Sequence, residues 1–432
     1  MKNLPVYSTP CISASPIQVL SLYRDQSRRS CPMSHQRIRF LFLNIGHFLD
    51  HLFVLIFATA AALTLVTEWN LSYGELIPYA TPGFVAFGLC AIPAGWLADK
   101  WSREGMIVVF FIGIGLTSIL AGFSETPMQM AIYLTLLGAM AAIYHPVGLA
   151  LVVQGRQNTG VPLAINGIFG NMGVASAALI TGLLIDIAGW QYAFIAPGIF
   201  SLGIGIGFFV FVRHHRQAVG PDKPESTPSA GTSLLAKKTL FKAFAIVLLT
   251  TGIGGIVFQS TTFALPKVFE ERLGELAVSA TAVGGYAFIV FTIAAFAQLA
   301  VGWLVDRYSV RRVFATVAIV QAVFLLAMTQ LSGVAALLIA IAFMLAVFGQ
   351  IPINDVLVGR LAKSEWRARA YALRYIVTFS VMASTVPLIG WIHGRWGFEV
   401  LFPILALSAI FIFIAVLFLP KAVAMAPIAK PA

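Results

Sequence analysis

Charged residues are scarce in this sequence. Asp, Glu, Lys and Arg make up 10% of its 432 residues, whereas 59% are hydrophobic and the mean hydropathy is +0.89. Soluble domains have roughly 25% charged and about 45–50% apolar residues, so no single soluble core could bury this many apolar side chains. The composition excludes an ordinary soluble enzyme, a disordered chain and a nucleic-acid-binding protein, despite the net charge of +11. It indicates a polytopic membrane protein that is solvated by lipid.

Cysteine pairs and catalytic motifs are also lacking. The three cysteines, Cys11, Cys31 and Cys90, form no CxxC pair and have no spacing typical of a disulfide or a zinc site. The sequence has no GxSxG, no HExxH and no paired catalytic carboxylates, which argues against an enzyme. It also lacks the GxxxxGK[ST] loop that cradles phosphates, which excludes transport driven by ATP. We therefore expect no enzymatic activity, no cofactor and no resident metal.

Long apolar runs, by contrast, are abundant. A membrane-spanning helix needs about 20 mostly apolar residues, and twelve segments of the chain meet this requirement. None shows the alternating pattern of a transmembrane β-strand, so the sequence predicts an all-α membrane protein. The predicted spans are 40–66, 76–98, 106–123, 128–153, 163–187, 192–212, 243–266, 280–305, 313–330, 334–358, 370–392 and 398–419.

The distribution of basic residues predicts the orientation. With the amino terminus in the cytoplasm, 24 of the 28 Lys and Arg residues fall in cytoplasmic loops and tails, as the positive-inside rule requires. Only Lys267, Arg272 and Arg395 lie on the opposite side, and Arg374 lies inside a span. We expect a multi-pass protein of the bacterial cytoplasmic (inner) membrane with both termini in the cytoplasm.

Segments outside the spans divide the chain. Residues 1–38 are rich in Ser, Pro and Arg and have no apolar run long enough for a cleaved signal peptide. They predict a disordered cytoplasmic tail, within which Met33 is an alternative initiator. Residues 213–242 contain a Pro/Ser stretch typical of a flexible linker, and residues 420–432 form a second tail. The two six-span halves are 39–212 and 243–419.

The two halves repeat one another. The segment GWLADKWS (95–102) matches GWLVDRYS (302–309) at an offset of 207, and Pro146 matches Pro352 at an offset of 206. A nearly constant offset predicts two parallel six-helix bundles related by an axis along the membrane normal. Transporters with this architecture bind their substrate between the halves, near the middle of the bilayer. Further matches, at an offset of 208, are Gly182, Gly189 and Phe194 with Gly390, Gly397 and Phe402.

These segments resemble the major facilitator superfamily. GWLADKWSREGM (95–106) is similar to the signature that follows the second span in that superfamily, Gly-x-x-x-Asp-Arg/Lys-x-Gly-Arg-Arg/Lys, with Ser102 and Glu104 as departures. The resemblance covers the chain from residue 38 and implies twelve transmembrane helices in two pseudo-symmetric bundles. It also implies a cytoplasmic gate, closed in one of two states, in which Asp99 faces the positive amino end of span eleven. The predicted gating residues are Gly95, Asp99, Arg103, Gly302, Asp306, Arg307 and Arg311.

Span five carries three glycines at three-residue intervals. In the run NGIFGNMG (166–173) they form a smooth face against which another helix can pack closely. The run is similar to the span-five motif of antiporters in the superfamily. That motif continues into Gly-Pro, however, whereas Ser176 and Ala177 follow here. Antiport and ordinary helix packing both remain open as explanations.

Ionisable residues inside the spans are few, because each charge costs at least about 2.5–3.5 kcal/mol at the bilayer centre. His47, Asp50 and His51 in span one are three or four residues apart and lie near one face. His145 lies in span four, which lines the central cavity together with span one in the superfamily. A carboxylate beside imidazoles can exchange a proton near neutral pH, so these four residues form the predicted proton-coupling site.

Two alternatives to this proton site stay open. A histidine could instead donate to a facing Asn or carbonyl and never titrate, which suits His51 best because it points off the shared face. His47 and His51 are also spaced i, i+4, as in helical zinc pairs, which leaves a transition-metal importer as a minor alternative.

The second half supplies polar rather than acidic candidates. Gln259 lies in span seven with Thr261 and Thr262, and Arg374 lies in span eleven at a depth similar to that of Asp355 in span ten. Arg374 therefore either pairs with Asp355 or binds an anionic substrate group. The predicted substrate cavity comprises Tyr144, Asn171, Gln259, Gln350, Asn354 and Arg374.

These observations predict a monomeric secondary transporter that moves a small molecule by alternating access, with the proton gradient as its energy source. Tyr144-His145-Pro146 followed by Gly148 resembles span four of the fosmidomycin-resistance-type exporters, which favours efflux by proton antiport. Arg374 and the missing Gly-Pro favour the alternative, proton-coupled uptake of a small organic anion. A sensor that has lost transport is a further alternative.

Overall fold

The computed structural model describes residues 35–156, 159–216, 237–361 and 367–420. The predicted initiator Met33, most of both predicted tails and the central part of the predicted linker lie outside these ranges. Residues 42–432 form one compact unit, and residues 1–41 are grouped separately. In the described ranges all regular secondary structure is helical, which confirms the predicted fold class.

The described residues form twelve helices that are long and apolar enough to span a membrane. Eleven described helical runs are long and apolar enough to span a membrane, and the last contains two spans, because Gly397 interrupts it with a φ of +65° and a ψ of −165°. This positive φ favours glycine, which lacks a Cβ. The helices are α1 His35–Glu68, α2 Tyr73–Lys100, α3 Arg103–Gly122, α4 Pro127–Val153, α5 Gly160–Ala188, α6 Trp190–Arg216, α7 Lys237–Arg272, α8 Ala280–Arg307, α9 Val310–Ala327, α10 Gly333–Leu361, α11 (367–396) and α12 (398–417).

Most of the helices are longer than the apolar runs that predicted them. α6 continues to Arg216 and α7 begins at Lys237, so residues 213–216 and 237–242 of the predicted linker are helical. α7 also continues six residues past the predicted end at Pro266. Hydropathy detects the part of a helix that lipid can solvate, whereas the helix itself extends into polar residues as long as backbone hydrogen bonds continue.

Contacts between the two halves are concentrated at one end of the helices. We call this the odd-loop end, because the loops after α1, α3, α5, α7, α9 and α11 lie there, and the opposite end the even-loop end. Gly182 of α5 lies so close to α8 that a Cβ on it would be 2.2 Å from the Ala280 carbonyl oxygen. A Cβ on Gly284 of α8 would likewise lie 2.3 Å from the Ala178 carbonyl oxygen. Small residues thus allow α5 and α8 to touch backbone to backbone.

Polar and glycine contacts complete this interface. The Asp186 carboxylate of α5 accepts hydrogen bonds from the Ala280 and Thr281 amides at 3.3 and 2.7 Å, where it caps the amino end of α8. Gly74 at the start of α2 packs against Gly390 near the end of α11. At the even-loop end, by contrast, the second half forms its own apolar core, with members such as Phe314, Leu357 and Val416.

Candidate functional site

A local distortion of α4 positions two of the predicted site residues. Pro146 has no amide hydrogen and cannot make the bond that an α-helix requires at its position. The helix accordingly widens into a π-turn over Tyr144–Gly148. Such π-turns occur frequently at functional sites. Here the turn directs both Tyr144 and His145 towards α1.

Asp50 and His145 form a buried ion pair. Asp50 Oδ2 lies 3.3 Å from His145 Nε2, and the two side chains are 1% and 13% exposed. Among the described residues no other group makes a hydrogen bond to the Asp50 carboxylate. A buried carboxylate with so few partners is costly as an anion.

Two more imidazoles surround this pair. The ring of His47 lies 5.0 Å from that of His51 and 5.4 Å from that of His145, while His51 and His145 are 5.5 Å apart. His51, expected to point off the shared face, is therefore part of the cluster. Nitrogen atoms of the three histidines lie within 4.8 Å of one another, a spacing that could accommodate a metal ion. The same arrangement also suits proton transfer among imidazoles.

A hydrogen-bond network around Asn166 supports the cluster. The Asn166 carbonyl oxygen accepts from His47 Nδ1 at 2.7 Å, and its amide donates to Asn44 Oδ1 and to the Tyr144 hydroxyl, both at 2.9 Å. Tyr144 in turn donates to the Leu43 carbonyl at 2.6 Å. Sequence reasoning missed Asn44 and Asn166 as site residues. An asparagine inside a mostly apolar span was the available signal in both cases.

Aromatic side chains from both halves cover His145. The Phe379 ring of α11 lies 4.8 Å from that of Phe87 of α2, and the two rings lie 6.0 and 5.9 Å from the His145 ring. The ion pair in the first half therefore lies directly beneath a side chain of the second half. This contact could not be anticipated from the sequence, because 34 phenylalanines offer too many equivalent candidates.

The predicted cavity residues of the second half form a separate polar group. Gln350 Nε2 donates to the Thr250 carbonyl oxygen at 3.5 Å, and the Thr250 hydroxyl donates to Asn354 Oδ1 at 3.4 Å. Gln259 is 1% exposed, and its amide nitrogen has no partner among the described residues. Arg374 donates to the Asp355 carboxylate, so pairing, one of the two roles open for Arg374, is present in this structure.

The remaining predicted cavity residues differ in placement. Tyr144 is fully buried, and its hydroxyl group is used within the first half, so it supports the histidine cluster and does not line an open cavity. Asn171 is half-buried on α5.

The predicted gating residues are mostly exposed at the even-loop end. Asp99 and Arg103 form an ion pair at 2.8 Å, with side chains 65% and 42% exposed. Gly95 lies against Pro146, and the Arg307 guanidinium lies 4.1 Å from the centre of the Trp303 ring. No polar contact involves Asp306 or Arg311 in the described ranges, and a Cβ on Gly302 would meet open space. The side chains at the start of α11, which Asp99 is expected to face, lie outside the described part.

Comparison with known proteins assigns the family. The family model described as Major Facilitator Superfamily matches residues 43–292 and 273–432. The chain is similar to a bacterial homologue of the lysosomal transporter Spinster in an inward-facing conformation, with a TM-score of 0.67, 14% identity and coverage of 91% of this chain and 96% of that one. A POT family transporter in complex with 5-aminolevulinic acid gives a TM-score of 0.68 at 12% identity, covering 89% and 96%.

Curated relatives are transporters. The chain is 24% identical to a gallate transporter of Pseudomonas putida over 59% of this chain and 62% of that protein. It is 23% identical to the 4-hydroxybenzoate transporter PcaK of the same organism, over 63% of this chain and 67% of that protein. The chain thus spans about three-fifths to two-thirds of the length of these relatives. Together with the twelve apolar helices, these matches show that the chain belongs to the Major Facilitator Superfamily of multi-pass membrane transporters.

Proposed function

We propose that this transporter takes up a small organic anion, with an aromatic carboxylate as the first candidate, together with protons. The relatives named for gallate, 4-hydroxybenzoate and benzoate support this alternative better than the efflux by antiport that the sequence first favoured. The single observation that carries the proton coupling is the buried Asp50–His145 ion pair beneath Phe379 of the other half.

The ion pair can couple a proton to the movement of the halves. When Asp50 takes up a proton, its negative charge is lost and the local charge of the site changes. Because both side chains are buried, this change is not screened by water and alters the relative energy of the two arrangements of the halves. A proton is thus taken up on one side of the membrane and released on the other in each cycle.

The second half supplies groups suited to the anion. Arg374 can exchange the Asp355 carboxylate for that of the substrate, because a guanidinium can donate hydrogen bonds to either carboxylate. Phe379 lies five residues further along α11, about 7.5 Å along the helix axis. Phe379 and Phe87 offer an aromatic surface on which the ring of such a substrate can stack.

The orientation and domain arrangement are part of this proposal. The excess of basic residues supports a cytoplasmic even-loop end and cytoplasmic termini in the inner membrane. The contacts between the halves at the odd-loop end then lie on the outer side. We further propose a monomer of two six-helix bundles joined by the linker, without a cofactor. Labelling of single cysteines introduced near Glu125 and Ser309 tests the orientation, because these positions are expected on opposite faces.

Flux through the purified protein tests the proposed function. Liposomes loaded at alkaline pH and placed in acidic medium should accumulate radiolabelled 4-hydroxybenzoate, and collapse of the gradient with an ionophore should abolish accumulation. Accumulation only when the gradient is reversed would support antiport and contradict symport. Uptake of Zn²⁺ but of no organic acid would instead support the metal-importer alternative.

A further inference from the structure

The glycines of α5 are not equivalent. A Cβ on Gly170 would lie 2.7–2.9 Å from three ring atoms of His47, and a Cβ on Gly173 would lie 2.1 Å from the Phe48 carbonyl oxygen and 3.1 Å from His51 Cβ. A Cβ on Gly167 would meet no heavy atom within 4 Å. Two of the three glycines therefore form a groove that receives the histidine face of α1.

Asn166 completes this groove one turn before Gly170. Its carbonyl oxygen lies 2.7 Å from His47 Nδ1. Since a carbonyl can only accept, Nδ1 carries the hydrogen and Nε2 is left as the basic nitrogen of the neutral ring. The face of the ring also stacks on Tyr144, with centroids 4.9 Å apart and an angle of 21°. Both the tautomer and the orientation of His47 are thus set by neighbours that do not titrate near neutral pH.

The groups that face His47 define what its free nitrogen can do. On α1 this is His51, and on α4 they are Tyr144 and His145, of which His145 is paired with Asp50 of α1. α5 contributes only Asn166 and glycines, so it brings no charge to the cluster. The basic nitrogen of His47 therefore belongs to a cluster whose other ionisable members include the buried Asp50–His145 pair.

We propose that Asn166 and Gly170 are positioning residues for proton coupling, which hold His47 as the relay that passes protons to and from the Asp50–His145 pair. This proposal rests on the proposed proton symport. It gives the glycine pattern of span five a specific role. The groove admits the imidazole of His47, which a larger residue at position 170 would displace. The side-chain amide of Asn166 contributes by tying α5 to Asn44 and Tyr144, which keeps its carbonyl oxygen within reach of His47.

A matched pair of glycine variants tests this role. In Gly170→Ala the new methyl group must displace the His47 ring from the Asn166 carbonyl, whereas Gly167→Ala on the same helix enters open space. Loss of the carbonyl acceptor disfavours the protonated ring. We therefore expect the midpoint of the pH profile of driven uptake in Gly170→Ala to move to lower pH by at least about 0.5 unit, and that of Gly167→Ala to equal the wild-type midpoint.

Further measurements separate this role from folding and from the proposed function. Each variant is also measured by thermal unfolding and by exchange of labelled for unlabelled substrate, which needs no proton gradient. If Gly170→Ala fails to fold, Asn166→Ala should show a smaller shift in the same direction. An unchanged midpoint with slower exchange would mean that the groove only packs helices, and would overturn the role of α5 alone. If uptake by the wild-type protein did not depend on pH, both the proposed proton symport and the proposed relay role of His47 would be overturned.

Discussion

The two halves of the molecule build the same scaffold around different chemistry. Gly46 of α1 lies against the Tyr144 ring of α4, and its counterpart Gly254 of α7 lies against the Gln350 side chain of α10. The offsets are 208 and 206 residues, within the range found for the sequence repeat. At the same structural position the first half therefore has a tyrosine within a histidine–aspartate cluster, and the second half has a neutral amide.

This difference indicates a division of labour. Asp50 and three histidines give the first half a cluster of ionisable side chains. The second half carries hydroxyl and amide groups, which can form hydrogen bonds but do not titrate, together with the Arg374–Asp355 pair. In the proposed function, the first copy of the bundle provides the proton site and the second copy provides the anion site. The variants below test this division.

Asp50→Asn should have the largest effect. The amide resembles the protonated acid in shape but cannot release a proton, so gradient-driven uptake is expected to fall to background while substrate exchange persists. Uptake into liposomes and exchange are measured side by side, with the exposed Glu125→Gln as control. Driven uptake in Asp50→Asn that matched the wild type between pH 6 and pH 8 would remove Asp50 from the coupling.

Arg374→Ala should weaken substrate binding without changing proton coupling. Loss of a charge-assisted hydrogen bond costs about 1.5–3 kcal/mol, so the KM for an aromatic acid is expected to rise at least about tenfold. Asp355→Asn should lower KM, because it removes the carboxylate that competes for Arg374. The two variants are compared in initial-rate uptake at fixed pH. Equal KM values in both and in the wild type would place the anion site elsewhere.

Gly284→Val should change the balance between the two arrangements of the halves. Its Cβ would lie 2.3 Å from the Ala178 carbonyl oxygen, whereas Gly285→Val enters open space and serves as control. Overpacking costs about 1–3 kcal/mol, which should shift the population away from the observed contact by roughly tenfold. The distance between spin labels on α5 and α8 at the odd-loop end measures this shift in population. An unchanged distance distribution would contradict the contact.

Tyr144→Phe should have the smallest effect of the four variants, and we expect that effect on thermal stability. Removal of the hydroxyl leaves the Leu43 carbonyl oxygen and the Asn166 amide without this partner, at a cost of about 1–3 kcal/mol. Thermal unfolding in detergent should show a lower Tm than for Tyr192→Phe, whose ring is half exposed. Equal Tm values would mean that water replaces the hydroxyl.

The fold could be read from the sequence far more completely than the site. Apolar runs of about 20 residues and the repeat of segment 95–102 were enough to predict the twelve helices. Lipid requires each span to be apolar and to satisfy its backbone hydrogen bonds internally, and this requirement is visible in the sequence. Asp50 and His145 could be singled out because ionisable residues inside spans are rare. Asn166 and Phe379 escaped notice, since their roles arise from the approach of α5 and α11 to other helices. The difference between Gly170 and Gly167 also depends on that geometry.

Proton binding that accompanies substrate binding tests the division of labour most directly. Purified protein in weakly buffered detergent solution is mixed with 4-hydroxybenzoate, adjusted to the same pH, while an indicator dye follows the pH. The wild type should take up protons and make the medium more alkaline, whereas Asp50→Asn should bind the acid without a pH change. Acidification by the wild type, or the same alkaline signal from Asp50→Asn, would contradict a proton site centred on Asp50 that serves an anion site in the other half.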